Sequence, residues 1–202
     1  MQNAVAVIDE PRHHLALDTP IGRVYWVEVA PGDATLLHRH NFDYVTVVIG
    51  DAVVGNRHFG EEEVVSRLQD GHTFYSHAPF EHVVRNAGTE PFLNFTISML
   101  RNGAGPDNNL FKTLGSISNT GTITFERLFD ERCARAAKVR LTSGQSLELD
   151  GDTIVVARRN CDLTVTGIDI QRVQRAATLC WCSGQTHLTT TAECDLVVIG
   201  IR

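Results

Sequence analysis

Short apolar runs, each closed by turn residues, follow one another from position 22 onward. "RVYWVEV" is closed by "APGD", "YVTVVI" by "GD", "EVVSRL" by "QDGH" and "HVVRN" by "AGTEP", and "FLNFTISML" ends the first series. Such runs, rich in Val, Ile, Thr and aromatic residues and broken roughly every 8–12 residues, predict strands of a sandwich or barrel. The one stretch with a helical period is Leu128–Ala137, "LFDERCARAA". Residues 101–121, "RNGAGPDNNLFKTLGSISNTG", are rich in Gly, Asn and Ser and read as a linker between two near-equal halves.

The halves resemble each other. "VEVAPGDATLLHRH" (27–40) aligns with "VRLTSGQSLELDGD" (139–152), "SHAPFEHVVRN" (76–86) with "WCSGQTHLTTT" (181–191), and "PFLNFTISML" with "ECDLVVIGIR". A duplicated β-domain is the economical reading, and 202 residues suit two domains of about 100.

Composition narrows the partners. With 43% hydrophobic and 21% charged residues the chain is ordinary for a globular protein. A net charge of −6, with no Lys/Arg block, argues against nucleic acid and anionic membranes. No apolar run approaches the roughly 20 residues that span a bilayer, and the N-terminus lacks a basic start followed by an apolar core. The expected setting is therefore cytoplasmic. The five cysteines all lie in the second half and are expected to be reduced thiols packed in the core. Cys180-Trp181-Cys182 has neither redox nor zinc-knuckle spacing.

Candidate chemistry starts in "GDATLLHRHNFDYVTVVIG", residues 32–50. His38 and His40 are two apart, so on a strand both imidazoles face one way. A third imidazole, His82, can complete a facial set for Zn, Fe, Ni, Cu or Mn. For the dyad alone, a half-exposed strand explains the pattern equally well.

Two motifs in register carry the reading further. Gly32, five residues, His38-Arg39-His40 and Gly50 fit the first motif of the cupin superfamily, G-x5-H-x-H-x3,4-E-x6-G. Gly71, His77 in the proline slot, Pro79 in the glycine slot, His82 and Asn86 hold the spacing of the second, G-x5-P-x-G-x2-H-x3-N. Residues 22–100 thus resemble a cupin, closest to small metal-binding cupins with an HRHxxDYV first motif. The resemblance implies an all-β double-stranded β-helix, the jelly-roll barrel, duplicated here as a bicupin. On that reading residues 1–21 form an N-terminal arm, 22–100 the metal-binding barrel, 101–121 the linker and 122–202 a degenerate second barrel.

The chain departs from the family in its fourth ligand. The glutamate slot holds Tyr44 or Val45 when counted forward from His40, and Asp43 when counted back from Gly50. A regular strand puts Tyr44 on the histidine face and Asp43 away from it. The expected centre is thus His38, His40 and His82 on a divalent transition metal (Fe, Zn, Ni or Mn). Tyr44 and Glu81 are the candidate catalytic residues beside it, and His77 a candidate for the cavity mouth. Neutral ligands leave the ion its full charge, which favours a small anionic or chelating guest. The resemblance admits a three-histidine dioxygenase-type reaction or a lyase/isomerase, a non-catalytic binding or sensing role, and a homodimer. His13, His14, His58 and His72 fit neither motif and are expected at the surface. In the second half, Asp150, Asp152 and His187 occupy the aligned ligand positions, a set expected to hold no metal.

Overall fold

The structure is a computed structural model that describes residues 3–106, 108–118, 123–158, 161–167, 170–174 and 177–202. The chain divides into two compact units, residues 1–100 and 101–202.

The described residues of the first unit hold ten strands. They are β1 (Val5–Ala6), β2 (His13–Asp18), β3 (Gly22–Val29), β4 (His38–His40), β5 (Tyr44–Ile49), β6 (Ala52–His58), β7 (Val64–Leu68), β8 (Thr73–Ser76), β9 (Phe80–Asn86) and β10 (Phe92–Met99). They form two sheets, ordered β1-β4-β9-β6-β7 and β2-β3-β10-β5-β8. Tyr25, Val27, Val29, Val48 and Phe92 of one sheet pack with Val54, Leu68 and Val84 of the other, so the sheets enclose one apolar core. This is the jelly-roll arrangement that the strand pattern and the resemblance predict. Every residue of β5 is buried, which explains why "YVTVVI" shows little alternation.

Two motif residues are structural. Gly32 sits at φ 75°, where a side chain is strained, and its N–H donates to Asn86 O at 3.1 Å. Buried Asn86 donates through Nδ2 to Val29 O and Glu90 O (2.9 and 2.8 Å), while its Oδ1 accepts from Gly88 N–H. It thereby satisfies the backbone of the β9–β10 turn.

Residues 3–21, the described part of the expected arm, do not stand apart. β1 pairs in parallel with β4, and β2 pairs antiparallel with β3, so this segment adds an edge strand to each sheet.

The described residues of the second unit hold α1 (Leu110–Ser118) and nine strands: β11 (Thr124–Asp130), β12 (Ala134–Leu141), β13 (Ser146–Leu149), β14 (Thr153–Arg158), β15 (Leu163–Thr166), β16 (Ile170–Gln174), β17 (Ala177–Cys182), β18 (Thr186–Thr190) and β19 (Cys194–Ile201). Its sheets run β11-β12-β19-β14-β17-β16 and β13-β18-β15. The larger repeats the order β2-β3-β10-β5-β8 with one further strand, and the smaller repeats β4-β9-β6.

Three expectations change here. The stretch read as a linker contains α1, whose Leu110, Phe111 and Leu114 are buried in the second unit's core. Spacing of i, i+1 and i+4 gives that helix one apolar face, which its Gly/Asn/Ser-rich surroundings obscure. The helical pattern at 128–137 is overridden: those residues join β11 and β12, and Ala134–Leu141 pairs along its whole length with β19. Lastly, Cys161 and Cys194 form a disulfide, whereas Cys133, Cys180 and Cys182 are buried and outside it.

Candidate metal centre

The two ladders of the β4-β9-β6 sheet bring the motif histidines together. His38 lies directly opposite His82 across β4 and β9, and His40 opposite Phe80. All three imidazoles are buried, with residue exposures of 0%, 2% and 5% for His38, His40 and His82. The Nε2 of His82 stands 3.0 Å from Nε2 of His38 and 3.2 Å from Nε2 of His40.

The second ring nitrogens decide what these short distances mean. His38 Nδ1–H donates to Leu36 O at 2.9 Å, and His82 Nδ1–H donates to Asn56 Oδ1 at 2.9 Å. In a neutral imidazole the other nitrogen then carries a lone pair. Two lone pairs therefore face each other at 3.0 Å, which is no hydrogen bond. Two imidazole nitrogens bound about 2.1 Å from one divalent ion, roughly 90–100° apart, lie about 3.0–3.2 Å from each other. The donor set fits a transition metal in geometry and chemistry, with second partners on His38 and His82, whereas His40 Nδ1 is buried without a hydrogen bond.

Burial keeps the rings neutral. It pushes His38 down to about 4, reinforced by neighbouring His13, and His40 down to about 2, reinforced by His38 and His13. His82 is held well below the ordinary histidine value for the same reasons. Neutral imidazole is the ligating form.

A cavity of about 230 Å³ opens beside the three rings. Its wall mixes apolar side chains (Val27, Val54, Leu68, Phe92) with uncharged polar ones (Thr35, Thr46, Asn94, Thr96). Among the described residues no Asp, Glu, Lys or Arg lines it.

The remaining candidates separate. Tyr44 lines the cavity and stacks on His40, ring centroids 4.3 Å apart at 21°. Burial pushes its hydroxyl up to about 12, against a hydrogen bond with Ser76. Its phenol is thus a wall and a support for a histidine ring. Asp43 points elsewhere, as the strand period predicts: its carboxylate accepts from Tyr75 OH (2.6 Å) and Ala78 N–H (2.9 Å). Glu81 is not brought to the histidines. It faces Arg39 across the β4–β9 ladder, on the side away from His38 and His82, and accepts from the Arg39 guanidinium. His77, with its side chain 69% exposed, lies near Asp43 at 3.7 Å.

One histidine expected at the surface, His13, is buried and lines the cavity instead. His72 is exposed as expected and also borders the cavity. Buried His13 lies beside His38 with ring centroids 4.8 Å apart, and its Nδ1 is 2.8 Å from Glu10 Oε2. One ring nitrogen from each of His13, His38 and His40 lies within 4.8 Å of the others. His13 is reached through the β2–β3 pairing, which neither motif contains. The available signal was local: "EPRHHLALD" places His13 and Leu17 as the two buried positions of a strand.

In the second unit the aligned residues do not converge. Gly144 N–H donates to Thr190 O, the counterpart of the Gly32–Asn86 bond. Counting back from Thr190 makes Thr186, not His187, the counterpart of His82, and its ladder partner is Leu149. Leu147, Leu149 and Leu188 are buried in that core. Asp152 instead accepts from Arg101 at 2.5 Å, and His187 faces Glu148 at 3.7 Å on the outer side.

No protein-family model matches the sequence, and neither does any curated protein. Solved structures do. Salicylate 1,2-dioxygenase from Pseudaminobacter salicylatoxidans aligns over 90% of this chain and 71% of its own, at 13% identity and a TM-score of 0.61. The gentisate adduct of that dioxygenase aligns over 90% and 68%, at 12% identity and a TM-score of 0.59. A cupin domain from Bordetella pertussis Tohama I aligns over 49% of this chain and 97% of its own, at 23% identity and a TM-score of 0.41. At these identities the likeness is one of fold, an all-β jelly roll.

Proposed function

We propose that the first unit is a metal-dependent cupin. His38, His40 and His82 hold a divalent transition metal that captures a small anionic or chelating metabolite, and the leading activity is dioxygenase-type. The observation that carries this reading is the pair of facing lone pairs on His38 and His82, 3.0 Å apart in a buried site. A metal cation between them makes that arrangement favourable. When bound, the metal supplies a Lewis-acidic positive charge and open positions.

The chain's own residues do the rest. Leu36 O and Asn56 fix the tautomers and aim of His38 and His82, and Tyr44 holds the plane of His40. The uncharged wall leaves the ion as the only full charge a guest meets, so a carboxylate or enolate binds at the metal rather than at the wall. The apolar side chains exclude water and suit a small ring or chain. Salicylate and gentisate, named for the dioxygenase of the same fold, belong to this chemical class of chelating hydroxy-carboxylates. The second unit, with Leu149 and Thr186 at the counterparts of His38 and His82, reads as a degenerate barrel with a structural role.

Protein purified without a metal-affinity tag is expected to carry one divalent transition metal per chain, lost in His82→Ala. Absence of metal under varied supply overturns the proposal. The lack of any carboxylate or amine in the cavity wall also favours a second reading, non-catalytic binding or sensing of the same ligand class. Oxygen uptake by the iron-loaded protein with a panel of hydroxy-carboxylates and diketones supports the dioxygenase reading. Ligand binding across that panel without oxygen uptake or turnover supports the second.

A further inference from the structure

Neither motif accounts for His13, yet it stands at the rings the motifs assemble. Strand β2 carries it to the cavity through pairing with β3, where His13 is opposite Val27. Its Nδ1 is committed to Glu10 Oε2, so the nitrogen left to face the cavity is Nε2. Glu10 is itself unusual, a carboxylate only 1% exposed. Its Oε2 lies 2.8 Å from His13 Nδ1 and accepts from the Arg12 N–H at 2.8 Å, and its Oε1 accepts from the Leu36 N–H at 3.1 Å. The Arg12 guanidinium also donates to Oε1 at 3.1 Å. A carboxylate oxygen held against His13 Nδ1 by these donors accepts the Nδ1 proton and leaves the Nε2 lone pair for the cavity. Carboxylate–histidine–metal relays have this form.

We infer that His13 is a fourth nitrogen ligand of the metal, aimed by Glu10, and that this pair replaces the glutamate missing from the first motif. The inference rests on the metal-site reading above and extends it. The negative charge that a family glutamate would place on the ion is here placed one imidazole away. The ligand set stays neutral at the metal while the site as a whole is partly compensated. With His38, His40 and His82, His13 would hold the ion through four nitrogens, and a six-coordinate metal would have two positions left for a guest. A bare structural role for the Glu10–His13 pair, tying the N-terminal strand to the β4 sheet, is the competing account.

Loading the metal-free protein with Co²⁺ separates the two accounts, because visible d–d absorption reports the ligand set directly. Chelator competition gives the affinity, and thermal unfolding of the metal-free forms gives the structural contribution. The expected result is that His13→Gln alters the Co²⁺ spectrum and weakens binding by roughly 10–100-fold or more. Glu10→Gln should shift both in the same direction by about 10-fold. His14→Gln, at an exposed position on the other face of β2, should change neither. A His13→Gln protein with wild-type spectrum and affinity but a lowered metal-free midpoint overturns the inference in favour of the tether. If His13→Gln does not fold, Glu10→Gln decides, and an unchanged spectrum and affinity there overturns it equally. Wild-type protein that takes up no Co²⁺ fails earlier, at the metal-site reading itself. Binding that is lost in His82→Ala but untouched in both His13→Gln and Glu10→Gln refutes only the fourth ligand.

Discussion

His38 and His82 face each other across the β4–β9 ladder with their Nε2 atoms 3.0 Å apart, each ring's other nitrogen already donating a hydrogen bond. Two lone pairs so placed repel until a cation enters. Saturating divalent metal should therefore stabilise the fold, by about 2.7 kcal/mol when free metal is 100 times its dissociation constant. The measurement is denaturant unfolding with and without Zn²⁺ or Co²⁺. His82→Ala should abolish the metal-dependent increment, and a wild-type protein equally stable in both conditions contradicts the ligand set.

Metal-free stability should depend on pH in a stated direction. The folded His38 and His40 values lie near 4 and 2, below the unfolded value of 6.5. Between those limits the unfolded chain binds protons and the folded chain does not, so stability rises with pH. The contribution is present above about 6.5 and is lost progressively as pH falls toward 4. For His38 alone it is on the order of 3 kcal/mol. Glu10, depressed from 4.5 to about 2, adds a loss of the same sign in the lower window. Urea midpoints of the metal-free protein at pH 7.5 and 5 test this, and a flat profile refutes it.

Tyr44 separates support from chemistry. Tyr44→Phe keeps the ring stacked on His40 at 4.3 Å and should retain metal affinity within a factor of a few. Tyr44→Ala opens a cavity beside buried rings and should cost about 3–5 kcal/mol of stability. Titration of both variants with metal, alongside unfolding curves, checks the pair. A Phe variant that folds but has lost the metal would assign the hydroxyl a direct role.

Much of this site was legible because strand geometry is local. A spacing of two puts His38 and His40 on one face, and the same period turns Asp43 away and Tyr44 inward. His82 was legible only as a second motif held at fixed distance from the first. His13 was not, since its position depends on β2 pairing with β3 across a register shift between Leu15 and Leu17. Glu81 misled because adjacency in sequence to His82 is opposition in a strand. The second unit misled through a numerical alignment. Between Ala34 and His38 the chain advances four residues while its ladder partner moves three, from Arg85 to His82. That extra residue shifts every later aligned position, so Leu149, not Asp150, stands where His38 would.

Glu81 offers a clean negative. Its partner Arg39 has a side chain 55% exposed, and the pair lies on the sheet face away from the histidines. Exposed ion pairs contribute about 0–1 kcal/mol. Glu81→Gln should leave metal stoichiometry, affinity and any turnover unchanged and lower stability by no more than that. A loss of turnover with metal retained would return Glu81 to the catalytic machinery.

The second unit should bind no transition metal. Its barrel positions are filled by Leu147, Leu149 and Leu188, all buried, while Asp152 is held by Arg101. Asp150 and His187 share a surface cleft with Glu148, a donor set whose one imidazole and flexible carboxylates suit no transition metal well. Titration with Zn²⁺ should therefore saturate at one equivalent per chain, and His187→Ala should leave that equivalence intact. Introducing a histidine at the buried counterpart, Leu149→His, should not create a second site. It removes core packing and buries an imidazole without partners, a loss of about 2–5 kcal/mol. A second equivalent in the wild type that disappears in His187→Ala would instead make the second unit a metal site in its own right.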